Sequence, residues 1–250
     1  MRRPSSRYGS AISFGPGPLS PTIKALIVAN VAVFVLQQIT PTLLGSDLAW
    51  TLALRPAAVL EQFRVWQLAT YMFLHANTFH ILFNMLALWM FGTELERIWG
   101  TRYFLKFYFV TGVGAAVLTV LFSLLPIGIA AQLLTSNIVG ASGAIYGLLV
   151  AYALYFPNRR ILVILFPVPA KYAVLIFGAI AFLASDSGVA NITHLGGLLV
   201  GYLYLKGARF RPLSEMKYWY LRWKMNRTRK KFDVYDGGRS NVNDVNRRVH

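Results

Sequence analysis

Four polar side chains in otherwise apolar surroundings set the chemistry open to this sequence: His80, Asn84, Ser142 and His194. A serine and a histidine supply a nucleophile and a base. If the imidazole takes the Ser142 proton as the hydroxyl attacks a carbonyl, and returns it to the leaving group, the reaction is acyl transfer. The tetrahedral oxyanion needs fixed donors, and Asn84 and His80, four residues apart on one helix face, are able to supply them. Backbone N–H groups of a helix N-terminus beside Ser142 add to these. Tyr146 follows Ser142 by one helical turn and is placed to pack against the imidazole and orient it. No carboxylate is available for that orienting role. Glu94 and Glu96 fall at the far end of their apolar segment, and Asp186 lies in a connection. The expected unit is a Ser142–His194 dyad.

Apolar segments must carry these groups. Hydrophobic residues make up 56% of the chain and charged ones 14%, against roughly a quarter charged in soluble proteins. No Lys, Arg, Asp or Glu occurs between Lys24 and Asp47, between Arg64 and Glu94, or between Asp186 and Lys206. The uncharged stretch from Lys106 to Arg159 has room for two spans and a turn. The pattern predicts an all-α, polytopic membrane protein with six spans, at 23–39, 79–99, 103–125, 138–156, 168–185 and 189–206. The fifth is the least regular, since Pro167 and Pro169 break its start and Lys171 follows. Residues 1–22 are expected to be a cytoplasmic segment, 23–206 the membrane domain and 207–250 a basic cytoplasmic tail. Gln37, Gln38 and Pro41 after the first apolar run argue against a cleaved signal.

Basic residues set the orientation. They cluster before the first span, between the second and third, between the fourth and fifth, and after the sixth, which places both termini in the cytoplasm. The long first connection, 40–78, fits least, with Arg55 and Arg64 beside Asp47 and Glu61. Spans two, four and six then enter from outside, and the four polar residues fall at similar depth near their outer ends, His194 about 7.5 Å in. Taken singly, Ser142 is one more small packing residue, Asn84 interhelical glue and His194 a satisfied interior histidine. Their joint placement argues for a site. Gly143 and Gly147 on span four, and Gly197 and Gly201 on span six, are small-xxx-small pairs that let helix backbones approach closely. If those faces meet, Ser142 and His194 lie one turn outward of the contact.

Most of the net charge of +16 is topological. From Lys206 onward there are 13 Lys and Arg against 4 Asp and Glu, a tail suited to anionic lipid headgroups. Nothing beyond charge points to nucleic acid, and none is expected as a partner. The absence of cysteine excludes disulfides and thiol chemistry. No internal repeat, metal-ligand spacing or nucleotide-binding loop is visible, so no metal is expected.

Gly140-Ala141-Ser142-Gly143 resembles the Gly-x-Ser-Gly nucleophile motif of the rhomboid family. His194-Leu195-Gly196-Gly197, with Gly201 following, resembles its His-x-x-Gly-x-x-x-Gly motif. His75, with His80 through Asn84, is similar to its histidine-rich start of the second helix. Gly92, Glu96, Arg97 and Gly100 resemble that helix's end, and Tyr146 matches a tyrosine beneath the catalytic pair. The similarity covers roughly 23–206. It implies cleavage of single-pass membrane proteins within or beside their transmembrane helix, no cofactor, and a six-helix bundle in a membrane of the bacterial inner-membrane type. It also implies a partly embedded first connection and a fifth helix that, with the cap before it, admits substrate. One position departs: Trp66-Gln67 stands where many members have Trp-Arg, leaving the anchoring of the first connection to Arg64 or to no such contact. Two other readings remain open, an inactive relative that binds or traffics membrane proteins and a small transporter with a polar pathway.

Overall fold

A computed structural model describes residues 17–44, 51–163, 166–172, 175, 176, 179 and 188–209. The chain divides into two units, Met1–Lys206 and Gly207–His250. Helix α1 (Pro21–Leu44) opens with Ser20 as its cap, whose Oγ accepts from the Ile23 N–H at 3.1 Å, and with proline at the first helical position. Val28, Val31, Val35 and Leu36 are all exposed along it. A helix apolar on its outer face suits lipid rather than water.

The first connection is more structured than a loop. It holds α2 (Pro56–Gln62), ended by Phe63 at φ 55, and α3 (Gln67–Thr70) running into a 3₁₀ turn, Tyr71–Phe73. Its anchor is neither Arg64 nor missing. Gln67 is fully buried; its Oε1 accepts from the Arg55 backbone N–H at 3.1 Å and its Nε2 donates to the Thr51 carbonyl at 3.2 Å. Trp66 Nε1 donates to the same carbonyl, and Thr70 Oγ1 donates to Leu52 O. An amide has both a donor and an acceptor, so glutamine can tie two strands of backbone together. Phe63, Val65 and Trp66 remain exposed beside this anchor.

The predicted second span is one rod in three parts: α4 (Thr78–Ala87), a π segment (Leu88–Gly92) and α5 (Thr93–Trp99). A Cβ at Gly92 would come within 2.9 Å of Ile23, so the glycine lets α1 lie close. Gly100 (φ 75) turns the chain directly into α6 (Thr101–Phe122). The connection between the third and fourth spans contains a helix, α7 (Gly128–Thr135). Helix α8 (Ser142–Tyr155) starts at Ser142 and not at 138, because Ile138 pairs with Leu54 in a β-bridge and Gly140, at φ +121, turns the chain before Ala141 enters the helix.

Between α8 and the fifth segment lies an antiparallel ribbon, β1 (Arg160–Val163) with β2 (Phe166–Pro169), in the register Ile161↔Val168. Strand β2 takes the residues where the fifth span was expected to begin. Of that span, 170–172, 175, 176 and 179 are helical, and 173, 174, 177, 178 and 180–185 lie outside the described residues. Helix α9 (Gly188–Arg209) follows. The ribbon's root is clamped. Arg159 donates from Nη1 and Nη2 to the two carboxylate oxygens of buried Glu94, at 2.6 and 3.3 Å.

The core lies between α4, α6 and α8, around Leu88, Phe91, Phe104, Phe107, Tyr108 and Leu148. The fold is mostly helical. Among the described residues, 21–42 and 101–122 are long and apolar enough to cross a membrane, while α8 is apolar but shorter.

Candidate active site

Ser142 owes its position to the residues before it. Leu54 and Ile138 exchange two backbone hydrogen bonds, at 2.9 and 2.8 Å, and the Gly140 N–H donates to Tyr71 O at 2.9 Å. The first connection therefore fixes the chain just before the nucleophile. Gly140 takes φ +121, which L side chains rarely adopt. A Cβ there would also lie 2.7 Å from Cε1 and Nε2 of His80, so glycine is required twice over. After this turn Ser142, half-buried, becomes the first residue of α8, among N–H groups with no intrahelical acceptor.

His194 reaches Ser142 because α9 lies almost against the backbone of α8. A Cβ on Gly197 would fall 2.0 Å from Gly143 O, and one on Gly201 would fall 2.9 Å from Gly147 Cα. The close approach is one-sided. The open sides of Gly143 and Gly147 face chiefly Tyr71 Oη (2.8 Å), Ala115 Cβ (3.0 Å) and Thr111 (2.8 Å), with Thr193 Cγ2 of α9 further off at 3.6 Å from the Gly143 position. Helix α8 is thus thin on two faces, one admitting α6 and the other presenting bare backbone to α9. Thr193 Oγ1 and Thr119 Oγ1, 2.9 Å apart, tie α9 to α6 one residue from the histidine. The result is a His194 Nε2 to Ser142 Oγ distance of 2.9 Å. The Tyr146 ring stacks on the imidazole at 4.4 Å between centroids and 8° between planes.

His80 and Asn84 come from α4, whose N-cap is Asn77, with Oδ1 accepting from the His80 N–H at 2.9 Å. His80 Nδ1 accepts from the Ala76 N–H at 3.4 Å, so the proton of the neutral ring sits on Nε2. The point a Gly140 Cβ would occupy is 2.7 Å from that Nε2 and 3.6 Å from Ser142 Oγ. The His80 donor and the serine oxygen therefore face each other across the glycine. Asn84, one turn further along the same face, is buried, and its Nδ2 has no partner among the described residues.

His75 packs edge-on against His80, 5.1 Å between centroids. Its backbone is clasped by Gln37, which donates to His75 O at 3.0 Å and accepts from His75 N at 3.1 Å. Burial first, and the neighbouring His80 second, push the His75 imidazole down to about 4, so it adds no positive charge beside the site.

Glu94 and Glu96 are engaged elsewhere, as their sequence position requires. Glu94 pairs with Arg159, while Glu96 accepts from Ser20 Oγ and, at 2.8 Å, from Thr101 Oγ1. Gln37 and Gln67 hold backbone in a way that their sequence positions do not reveal, and Thr119, Thr193 and Asn191 are further polar residues near the site that the sequence motifs do not include. Asn191 is buried one turn before His194 with its Oδ1 unpartnered among the described residues. A signal for it existed, a strongly polar residue inside an apolar segment. With a serine hydroxyl on a histidine and two free donors nearby, the arrangement is suited to attack on a carbonyl.

Residues 62–209 match the family model of the Rhomboid domain. The chain is similar to Rhomboid protease GluP of Bacillus subtilis (strain 168), 29% identical over 203 residues, 81% of this chain and 37% of that protein. It is also similar to Rhomboid protease AarA of Providencia stuartii, 29% over 215 residues, 78% of this chain and 74% of that one. Rhomboid protein 1, mitochondrial, of Saccharomyces cerevisiae is 34% identical over 137 residues, 53% of this chain and 38% of that protein. The chain spans about two fifths of the length of the first curated relatives it matches.

Proposed function

Because the chain belongs to the rhomboid family and is therefore an integral membrane protein, we propose that it is an intramembrane serine endopeptidase. It cleaves single-pass membrane proteins within or next to their transmembrane helix. The observation that carries this reading is the 2.9 Å contact between Ser142 Oγ and His194 Nε2.

His194 Nε2 removes the Ser142 proton as Oγ adds to the scissile carbonyl carbon. The proton then passes to the leaving amine, and an acyl-enzyme forms; water, activated by the same nitrogen, releases the second product. The oxyanion is held by backbone N–H groups at the start of α8, by His80 Nε2–H and by Asn84 Nδ2. Tyr146 fixes the imidazole plane from below. No cofactor enters these steps.

The membrane domain, 23–206, is a six-helix bundle with both termini cytoplasmic. The site opens to the outer side through a wet cavity between the second, fourth and sixth spans. The basic tail from 207 lies against anionic headgroups. Purified protein in detergent, incubated with a generic transmembrane substrate, should yield two fragments, and Ser142→Ala and His194→Ala should yield none. Cleavage by either variant at the wild-type rate would rule the reading out.

A further inference from the structure

The imidazole of His194 has two nitrogens, and the dyad uses one. Nε2 must be the bare nitrogen to accept the Ser142 proton, so the ring's own proton sits on Nδ1. Nδ1 is buried and has no hydrogen-bond partner among the described residues. Buried polar atoms are nearly always satisfied. The same helix carries a second atom in the same condition, Asn191 Oδ1, and Asn191 and His194 are each 8% exposed. Residues three apart on a helix are neighbours, their Cβ atoms about 5–6 Å apart. Helical side chains lean toward the N-terminus, so the His194 ring leans over the turn that holds Asn191. One atom is a donor and the other an acceptor, and one water molecule spans such a gap.

We infer that Asn191 is a positioning residue for the base: its side-chain carbonyl, through one bridging water, holds the His194 Nδ1–H. That fixes the tautomer that presents a bare Nε2 to Ser142. Tyr146 does not do this, because a ring stacked on the imidazole face sets the plane but is indifferent to which nitrogen carries the proton. The titratable groups facing His194 are His80 from α4 and Tyr146 from α8, and Glu94 and Glu96 are bonded elsewhere. The Asn191 amide oxygen is a buried acceptor within one turn that has no partner among the described residues. The inference rests on the dyad reading under Proposed function.

The test is the rate at which a fluorophosphonate labels Ser142, followed against pH in wild type, Asn191→Ala and Asn191→Asp. The probe needs the base but no peptide substrate. An acceptor on Nδ1–H favours the charged imidazolium. Removing it in Asn191→Ala should move the acid limb to lower pH and slow the plateau about tenfold, the worth of roughly one neutral hydrogen bond. A carboxylate in nearly the same shape should move the limb the other way in Asn191→Asp, by about one unit. Shifts of opposite sign are not what a packing residue gives. The inference is overturned if both variants keep the wild-type acid limb, whatever their plateau rates. A Ser142→Ala protein that still cleaves substrate would instead overturn the dyad reading beneath it.

Discussion

The most exacting prediction concerns a single methyl group on α9. A Cβ at Gly197 would stand 2.0 Å from Gly143 O, 2.8 Å from its carbonyl carbon and 3.1 Å from its Cα. All three are backbone atoms of α8 and no rotamer moves them aside. Ordinary contact begins near 3.4 Å, so the two helices must part by about 1.4 Å for alanine to fit. His194 lies one turn from Gly197. If most of that separation reaches it, the 2.9 Å contact with Ser142 stretches to about 4 Å, outside hydrogen-bonding range. Misplacement on the order of 1 Å is enough to cost about 10²-fold in rate. Overpacking of this kind destabilises by ~1–3 kcal/mol. Gly197→Ala should therefore lose about 10²-fold in kcat and melt at a lower temperature. Gly201→Ala, which needs only about 0.5 Å to clear its 2.9 Å contact with Gly147 Cα, should be mild in both, and Gly207→Ala, with nothing within 4 Å, neutral. Turnover of a fluorogenic transmembrane substrate and thermal unfolding in the same detergent measure the two effects. Wild-type turnover and melting in Gly197→Ala would refute the reasoning.

Asn84→Ala should lower kcat by up to ~10²-fold with little change in KM, because an oxyanion donor acts on the transition state; a change in KM alone would make Asn84 a substrate contact. Tyr146→Leu removes the stacked ring and should reduce kcat about tenfold, with Tyr146→Phe losing less, as steady-state kinetics will show. Gln67→Leu removes the acceptor of the Arg55 N–H and a donor to Thr51 O, so it should destabilise by ~1–3 kcal/mol in thermal unfolding.

What could be read in the sequence follows from how conspicuous each feature is against an apolar background. Ser142, His194, His80 and Asn84 stand out because polar groups in such segments are rare, and their order on alternate segments carried the family resemblance. The ribbon did not stand out. After Arg160 its residues, 161–163 and 166–169, are apolar and partly β-branched, and such a run suits a strand or a span equally. Likewise α7 has no charged face to reveal its period. The glycine pairs pointed to a meeting of the fourth and sixth spans, and Gly197 and Gly201 do lie against Gly143 and Gly147, but the second neighbour of the fourth span was not legible. Gly143 and Gly147 open toward α6, because small-xxx-small spacing sets a face without naming its partner. Gln67 was read as a lost arginine. Its actual role depends on two backbone groups, at Thr51 and Arg55, that are brought beside it only by the fold of the first connection.

The central claim is that Ser142 is a nucleophile activated by His194, and one measurement addresses it directly. Intact protein is treated with a fluorophosphonate at neutral pH, digested, and the adduct mapped by mass spectrometry, in parallel with His194→Ala. The account predicts a single adduct, on Ser142, that is lost in His194→Ala. An adduct on another serine such as Ser136, or undiminished labelling of Ser142 without the imidazole, would contradict it.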